Sequence, residues 1–594
     1  MDFWDNRMGE DLMSKLNIDQ QTIFQLFSDK KSDFLIPDYQ RPYAWGENEC
    51  ETLWDDIFAF AFPDNDYTKF DSNDEYFLGP IVTFRNQDKK LEIIDGQQRL
   101  TTLMLLLRAF YSKFGNMKDE NSVSTAENIA KCIWKTDEFG RPNKDKLKID
   151  SDVSSDKDKD EFLTILKTGK VQPNQVSRYA CVFRFFQDKI NDFLSQFPSY
   201  FAYLPTRIMQ NCILLPIEAE SQDTALRIFS TLNDRGKPLA DTDIFKAKFY
   251  KFYTDLDKKD EFIARWKKLE TLCGQIFPSS YGSPMDELFT RYMYYERAKQ
   301  GIKDTTTEAL RKFYEKNDYI LLRNNEVLGR LEKLAKFWEN VDIQNEEVFS
   351  ERVLKQLGVL RFAPNGMWTY LLSVYYLHNR DANDQLDDEK LYRFLNTITL
   401  FIWAYAIMRP GVNALRQPAY PEMIHIVQDA PVQFASNKFD KVSLSTALHN
   451  FEFTNSRLIT KSMLAWWMYQ NPKQKLIPAE TNLEVEHIYS RKRQENDGAI
   501  SLAELESLGN KAMLEKTINI RASDYKFSDK IKYYKGHTTA SGKQKAGTMD
   551  AELLDIAETH TDFTKQDILN RKELIINSFV DALDKTNLIN DLIK

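Results

Sequence analysis

Chain length is the feature that most constrains this fold, because one hydrophobic core rarely organises more than about 250–300 residues. The chain has 594 residues, which predicts two to four domains. Hydrophobic residues make up 42% of it and charged residues 28%, as in ordinary globular proteins. We therefore expect a multidomain chain that is not globally disordered.

The sequence argues against a secreted or membrane protein. Its first 16 residues lack the basic and apolar regions of a secretory signal, and no run approaches the roughly 20 apolar residues of a membrane span. The five cysteines are odd in number and form no Cys-x-x-Cys pair: Cys50, Cys132, Cys181, Cys212 and Cys273. We expect neither a zinc site nor a disulfide framework, and a cytoplasmic location.

Periodicity divides the chain into three parts and predicts an α+β class. Residues 1–250 alternate short β-like runs with helices, residues 251–455 are helical in period, and residues 456–594 contain a basic region. Aromatic residues between positions 391 and 408 recur at helical spacing. They are expected in the core of the middle part and not on a base-stacking surface.

A hairpin and a helix are predicted in the first part. The apolar runs Ile81–Arg85 and Leu91–Ile94 are separated by the turn-forming Asn86, Gln87 and Asp88. Thr101 or Thr102 can cap the helix that follows. Its apolar positions recur at helical spacing: Leu103, Leu106, Leu107 and Phe110.

The junction between these elements is a candidate anion site. It carries Asp95, Gly96, Gln97, Gln98 and Arg99. Backbone amides at the glycine turn, with the Arg99 guanidinium and nearby threonine hydroxyls such as that of Thr101, can hold a phosphate. An ordinary strand-to-helix turn would also use Asp and Gly, so that alternative stays open.

Further polar segments lie on either side of this junction. IPDYQRPYAW carries Tyr39, Gln40 and Arg41, and RIFSTLNDRGKPL carries Asn233 and Arg235. No Walker motif accompanies them: in the nearest approach, between residues 536 and 543, the glycines are six apart and Gln follows the lysine. A nucleotide would therefore be held without a P-loop.

These segments, in the order IPDYQRPYAW, FLGPIVTF, IIDGQQRLTTL and RIFSTLNDRGKPL, resemble the N-terminal module of the GmrSD-type, modification-dependent (type IV) restriction proteins over about residues 30–250. The resemblance implies a ParB/sulfiredoxin-like α/β fold, hydrolysis of a nucleoside triphosphate (GTP or ATP) and sensing of modified DNA. It makes Asp95, Gln97, Gln98 and Arg99 nucleotide-site candidates. Further candidates, for sensing modified DNA or binding the nucleotide, are Tyr39, Gln40, Arg41, Asn233 and Arg235.

The C-terminal part is locally basic although the chain carries a net charge of −9. Between Arg491 and Lys545 there are twelve Lys or Arg and seven Asp or Glu, a local balance of +5. Because phosphate binding is mainly an electrostatic effect of Lys and Arg, this region is the expected nucleic-acid-facing surface.

Within it, a short segment supplies the groups needed for phosphodiester hydrolysis. Glu486 and His487 lie in an apolar-flanked run that predicts a strand, and Asn510 and Asn519 follow. A neutral His can activate water, a carboxylate and an amide oxygen suit Mg²⁺, and a second Asn can hold the imidazole. A Glu-His pair alone would be read as an ordinary surface pair.

The order Glu-His, Gly-Asn, Asn resembles the ββα-metal (HNH) nucleases, and the C-terminal half of the same GmrSD-type proteins over about residues 456–575. The resemblance implies that His487 is the general base, positioned by Asn510. Glu486 and Asn519 would bind Mg²⁺ or Mn²⁺, and Lys530 and Arg521 would contact phosphate. Ser490 departs from the family pattern, which has Pro there.

The sequence therefore predicts a type IV-like restriction endonuclease of anti-phage defence, which cleaves modified phage DNA and is gated by its N-terminal module. One alternative is a nucleotide-hydrolysing regulatory switch whose HNH part only binds DNA. Another is a non-enzymatic nucleic-acid-binding or toxin-controlling module. The sequence is compatible with a homodimer.

Overall fold

The computed structural model describes residues 17–115, 117–153, 156, 158–222, 224–226, 228, 241–277, 283–304, 308–409 and 415–590. These described residues fall into two compact units, divided between residues 267 and 268. The predicted α+β class and multidomain organisation are confirmed at this level. The predicted boundary between residues 455 and 456 lies inside the second unit, and the ParB-like assignment stays a prediction.

A mixed seven-stranded sheet organises the first unit. Its central strands, Tyr76–Arg85 and Cys212–Ala219, run parallel to each other, and Tyr76–Arg85 pairs antiparallel with Leu91–Asp95. The strand order across the sheet is Asn17–Ile18, Cys212–Ala219, Tyr76–Arg85, Leu91–Asp95, Phe34–Ile36 and Ile149–Ser151, with Gln21–Thr22 also on Cys212–Ala219. The predicted hairpin is confirmed. A separate antiparallel pair joins Trp134–Thr136 to Pro142–Leu147.

Helices cover this sheet, and one of them differs from the prediction. They are Ile23–Ser28, Glu47–Ala61, Gln97–Phe114, Glu120–Ile133, Lys159–Thr168, Arg178–Gln196, Tyr203–Asn211 and Asp241–Asp255. The helix Gln97–Phe114 begins directly after Gly96. The expectation that Thr101 or Thr102 caps it is wrong, because the left-handed glycine already turns the chain and both threonines lie buried inside the helix.

The second unit is mainly helical. Its helices are Pro284–Lys299, Leu310–Tyr319, Asn325–Asp342, Glu351–Leu360, Met367–Asn379, Asp388–Met408, Arg416–Val427, Lys441–Asn450, Leu458–Met468, Arg491–Asp497, Leu502–Leu505, Lys516–Ala522, Phe527–Lys535, Ala551–Thr559 and Lys565–Lys585, and Lys259–Ile276 spans the division between the units. Leu483–His487 pairs with Lys511–Glu515, and His537–Thr538 with Gln544–Lys545.

The helix Asp388–Met408 is a core element of this unit. It is the one described helix that is long and apolar enough to cross a membrane, and 67% of its apolar window is buried inside the unit. Phe401 and Trp403 are fully buried, and the Trp403 indole donates to the Ser462 carbonyl at 2.8 Å. The expectation that its aromatic residues form core is confirmed.

Candidate functional site

A two-stranded antiparallel sheet and the helix that follows it form the framework of the candidate site. Leu483–His487 pairs with Lys511–Glu515, so that Glu486 lies opposite Ala512 and His487 opposite Lys511. The helix Lys516–Ala522 begins at the end of the second strand. Because side chains alternate along a strand, Glu486 and His487 point to opposite faces of the sheet.

His487 is a neutral, mostly buried imidazole. Its side chain is 14% exposed, and its Nε2 has no hydrogen-bond partner among the described residues. Burial, followed by the nearby Lys511 ammonium, lowers the pKa of His487 to about 4, although Glu506 acts in the opposite direction. The ring can therefore accept a proton at neutral pH.

Glu506 links His487 to two cations. Its Oε1 lies 3.5 Å from His487 Nε2 and 2.9 Å from an Arg491 guanidinium nitrogen. Its Oε2 lies 2.6 Å from Lys511 Nζ, which is fully buried. Burial acts to raise the pKa of Glu506, but the hydrogen bond from Lys511 and the surrounding positive charge lower it overall.

Glu506, Lys511 and Arg491 lie beside the imidazole, although the sequence did not predict them as site residues. The Arg491 side chain is 58% exposed, so its guanidinium can reach a phosphate beside His487. Register alone could have found Lys511, because it lies opposite His487. Glu506 precedes the Leu-Gly-Asn motif, but nothing in its local sequence indicates that it approaches the imidazole.

Asn510 is fully buried and fixes the backbone that follows His487. Its Oδ1 accepts from the Tyr489 amide at 2.7 Å, and its Nδ2 donates to the carbonyls of Tyr489 and Leu505, each at 3.0 Å. The Ile488 amide also donates to the Asn510 carbonyl. Asn510 therefore positions His487 through the main chain and not through the ring.

Glu486 is the centre of a buried ion pair on the opposite face of the sheet. The side chain is 5% exposed, and its carboxylate accepts from Lys530 Nζ at 2.7 Å and from the Tyr534 hydroxyl at 2.6 Å. Lys530 also donates to the His487 carbonyl at 2.7 Å. Burial raises the pKa of Glu486, and the Lys530 ammonium opposes this shift.

Lys530 is not placed where the phosphate contact expected of it could be made. Its side chain is 1% exposed, because the ammonium group is needed to neutralise the buried Glu486 carboxylate. It cannot contact a phosphate from this position. Arg521, the other expected phosphate contact, is half-buried and donates through Nε to the Thr517 carbonyl of its own helix at 2.9 Å.

The two expected metal ligands are engaged with different partners. Asn519 Nδ2 donates to Glu484 Oε2 at 3.1 Å, whereas Glu486 is held by Lys530. Among the described residues, no group of three or more His, Cys, Asp and Glu side chains is arranged to hold a metal ion. A divalent cation does not fit at Glu486 in this arrangement, because it would have to displace the Lys530 ammonium.

Packing explains the glycine of the Leu-Gly-Asn motif. A Cβ at Gly509 would lie 1.9 Å from the Ile568 carbonyl oxygen in the helix Lys565–Lys585. From the same helix, Arg571 donates to the carbonyls of Leu508, Gly509 and Lys511 while it pairs with Glu552. The last long helix therefore supports the loop that holds Asn510.

Ser490 accounts for the departure from the expected proline. It caps the helix Arg491–Asp497 by accepting from the Arg493 amide, and its hydroxyl donates to the Asp524 carbonyl at 3.0 Å. Serine is a strong helix cap. This helix places Arg491 directly after the His487 strand.

In the first unit, three glutamines join the segment 37–45 to the strand-to-helix junction at residues 93–98. Gln97 Nε2 donates to the Arg41 carbonyl at 2.7 Å, and Gln98 Oε1 accepts from the Ala44 amide at 2.6 Å. Gln40 donates to the carbonyls of residues 93 and 94. These expected nucleotide contacts therefore hold the segment 37–45 against the start of the helix.

The charged groups at this junction are arranged around Asp95. Burial raises the pKa of Asp95, while Arg99 and Arg41 act to lower it. Arg99 donates to the Pro80 carbonyl at 2.9 Å, and Arg41 is exposed. The Thr101 hydroxyl is buried and has no hydrogen-bond partner among the described residues.

Gly96 is required for the shape of this junction. Its φ is +93°, a left-handed conformation that favours glycine, and a Cβ there would lie 3.0 Å from Ile81 Cγ1. The glycine therefore lets the strand turn directly into the helix. No side chain in the described part of the chain caps this helix start, and the amides of helix N-termini favour anions.

Tyr39 is a buried packing residue in this structure. Its ring centroid lies 5.3 Å from that of Tyr250, and its hydroxyl lies 3.5 Å from Glu92 Oε2. Burial, followed by the charge of Glu92, raises the pKa of Tyr39. The predicted residues Asn233 and Arg235 lie outside the described residues.

Comparison with protein families supports the assignment of the N-terminal part. Residues 23–250 match the family described as GmrSD restriction endonuclease, N-terminal domain. The match covers well under half of the chain and ends before the His487 region. No curated protein sequence matches the chain.

Proposed function

Because residues 23–250 belong to the GmrSD restriction endonuclease family as its N-terminal domain, we propose that the chain is a DNA endonuclease whose hydrolytic site lies at His487. Restriction enzymes act on DNA, and the family therefore supports DNA as the substrate. The single observation that carries the location of the site is the neutral, buried imidazole of His487 at a strand end beside an exposed arginine.

In this proposal His487 is the general base. It removes a proton from water, and the resulting hydroxide attacks the phosphorus while the bond to the leaving oxygen breaks. Arg491 binds the phosphate and stabilises the charge that develops on it, because its guanidinium is exposed and lies on the same carboxylate as the imidazole. Asn510 holds the strand end in place.

No step is assigned to Mg²⁺ or Mn²⁺. Such an ion would supply charge stabilisation and an activated water, but Glu486 is already neutralised by Lys530. The two ligands expected from the sequence, Glu486 and Asn519, also bond to separate partners. The chain's own cations therefore carry the phosphate contact in this account.

The N-terminal domain would regulate the cut. We propose that a nucleoside triphosphate binds at the junction that carries Asp95, Arg99 and Arg41. This junction combines a helix N-terminus with two guanidinium groups. The modified bases of phage DNA would be sensed by the same domain. This control of cleavage by the N-terminal domain is proposed because that domain and the His487 site lie in one chain.

One other function is favoured by a specific observation. The Glu486–Lys530 pair would also be expected in a nucleotide-hydrolysing switch whose C-terminal unit binds DNA without cutting it. That alternative predicts release of phosphate from GTP or ATP and no shortened DNA product.

The test is an incubation of modified and unmodified phage DNA with the full chain, with and without Mg²⁺ and with and without GTP or ATP. The proposal expects cut DNA in at least one condition and a dependence on base modification. Intact DNA in every condition, accompanied by triphosphate hydrolysis, would favour the regulatory switch.

A further inference from the structure

The two nitrogens of the His487 ring have different surroundings. Nε2 is buried to under 1 Å² of accessible surface and has no hydrogen-bond partner among the described residues, although the side chain as a whole is 14% exposed. A water molecule that is to lose its proton cannot reach Nε2. The exposed part of the His487 side chain therefore lies away from Nε2.

Glu506 is the acceptor that faces the buried nitrogen. Its Oε1 lies 3.5 Å from His487 Nε2, slightly beyond a normal hydrogen bond. Catalytic hydrogen bonds are often long in a protein without substrate and shorten in the complex. A small closure would therefore allow Nε2–H to donate to Glu506.

The Glu506 carboxylate is held on both sides. Lys511, fully buried, lies 2.6 Å from Oε2, and Arg491 lies 2.9 Å from Oε1. Lys511 also donates to the Phe453 carbonyl, which fixes the ammonium group. An ionised and immobilised carboxylate of this kind accepts hydrogen bonds and has no proton to donate.

We propose that Glu506 holds His487 in the tautomer with its proton on Nε2, so that Nδ1 is the nitrogen that removes the proton from water. The catalytic consequence rests on the proposed function. The proton of water moves to Nδ1, the hydroxide oxygen bonds to phosphorus, and the bond to the leaving oxygen breaks. The leaving oxygen takes a proton from solvent, and Nδ1 then releases its proton to solvent. Glu506 stabilises the imidazolium through Nε2–H.

Glu506 is therefore a positioning residue that acts through the ring, whereas Asn510 acts through the backbone. The two functions are separable, because the Asn510 side chain hydrogen-bonds to the backbone of Tyr489 and Leu505 and not to the imidazole. The proposal also gives Lys511 a role. It keeps Glu506 charged and in place.

The test is nitrogen NMR of the full chain labelled with ¹⁵N-histidine, in which His487→Asn identifies the His487 signals. The proposal expects the Nε2–H tautomer in the wild type at pH 7. It also expects loss of that tautomer's dominance in Glu506→Gln, whose amide can donate to Nε2. The Nδ1–H tautomer in the wild type, or no change in Glu506→Gln, would overturn the proposal.

A kinetic comparison separates positioning from folding. Glu504→Gln is a matched control, because Glu504 lies in the short helix Leu502–Leu505 that ends directly before Glu506, but pairs with Lys565 at 2.8 Å. Glu506→Gln is expected to lower kcat at least about tenfold, and Glu504→Gln to leave kcat unchanged. An equal loss of kcat in both variants would overturn the positioning role of Glu506. If the wild type cuts no DNA, the proposed function fails, and the tautomer assignment is still decided by the NMR result.

Discussion

At the scale of single residues, the behaviour of His487 depends on its neighbours. Burial and Lys511 favour the neutral imidazole, while Glu506 favours the charged one. The first two effects dominate, so the imidazole stays neutral over a wider pH range than that of an ordinary histidine. These neighbours are brought together by folding, which is why the sequence singled out His487 but not the groups that shift its pKa.

The first prediction concerns pH. A histidine must be neutral to accept a proton, so the rate of cleavage is lost as pH falls through the pKa of His487, which is about 4. We expect the single-turnover rate to stay flat from pH 7.5 down to about 5.5, where an unperturbed histidine would be mostly charged. Lys511→Met should move the acid limb of the pH–rate profile to higher pH, because Lys511 lowers the pKa of His487. A wild-type limb near 6.5 would contradict this assignment.

The second prediction concerns the buried ion pair. Lys530→Met leaves the Glu486 carboxylate buried without its cation, and we expect a loss of about 3–5 kcal/mol in the free energy of unfolding. Denaturant unfolding followed by fluorescence measures this loss. The rise in the pKa of Glu486 predicts that part of the lost stability returns as pH falls and the carboxyl group is protonated.

Glu484→Gln is the control for that variant. Glu484 lies on the same strand but pairs with the half-exposed Lys516 at 3.7 Å. A surface pair of this kind contributes about 0–1 kcal/mol. Equal losses in Lys530→Met and Glu484→Gln would show that the Glu486–Lys530 pair is not structural.

At the scale of elements, the sequence predicted what local pattern determines. The hairpin, the buried face of the helix after it and the strand at His487 follow from periodicity and turn residues. The start of the helix at Gln97 does not, because it depends on the left-handed Gly96 packed against Ile81. The pairing of Glu486 with Lys530 also could not be predicted, since it joins residues 44 positions apart.

The third prediction concerns the Leu-Gly-Asn turn. Gly509→Ala would place a methyl group against the backbone of the helix Lys565–Lys585, and we expect a loss of about 1–3 kcal/mol or more, because backbone cannot move as a flexible side chain does. Since this turn carries Asn510, cleavage should fall with stability. Thermal unfolding and a cleavage assay measure the two effects.

Gly274→Ala is the matched control. Gly274 lies in the helix Lys259–Ile276, and nothing lies within 4 Å of an added Cβ. Alanine there should stabilise the helix by roughly 0.5–1 kcal/mol. A Gly509→Ala protein as stable as the wild type would contradict the packing described for this turn.

At the scale of the whole molecule, the chain forms two units where three parts were predicted. The helices before residue 455 pack with the elements after it, as in the contact of Trp403 with Ser462. Composition changes at this point, but the hydrophobic core continues. The division at residues 267 and 268 falls inside the helix Lys259–Ile276, where no linker composition would indicate a boundary.

The fourth prediction follows from this organisation. A truncated chain that begins at Lys259 keeps the whole boundary helix and all of the second unit. We expect it to cut DNA without discrimination between modified and unmodified substrates, because the N-terminal domain is absent. Discrimination equal to that of the full chain would contradict gating by that domain.

The most direct test of the central claim is single-turnover cleavage of modified phage DNA by the full chain, compared with His487→Ala and His378→Ala. His378 is a matched control, because it pairs with the exposed Asp429 at 2.9 Å. We predict that His487→Ala loses at least about a hundredfold in rate while His378→Ala cuts like the wild type, with all three proteins equally folded. A His487→Ala protein that cuts at the wild-type rate would contradict the assignment of this site.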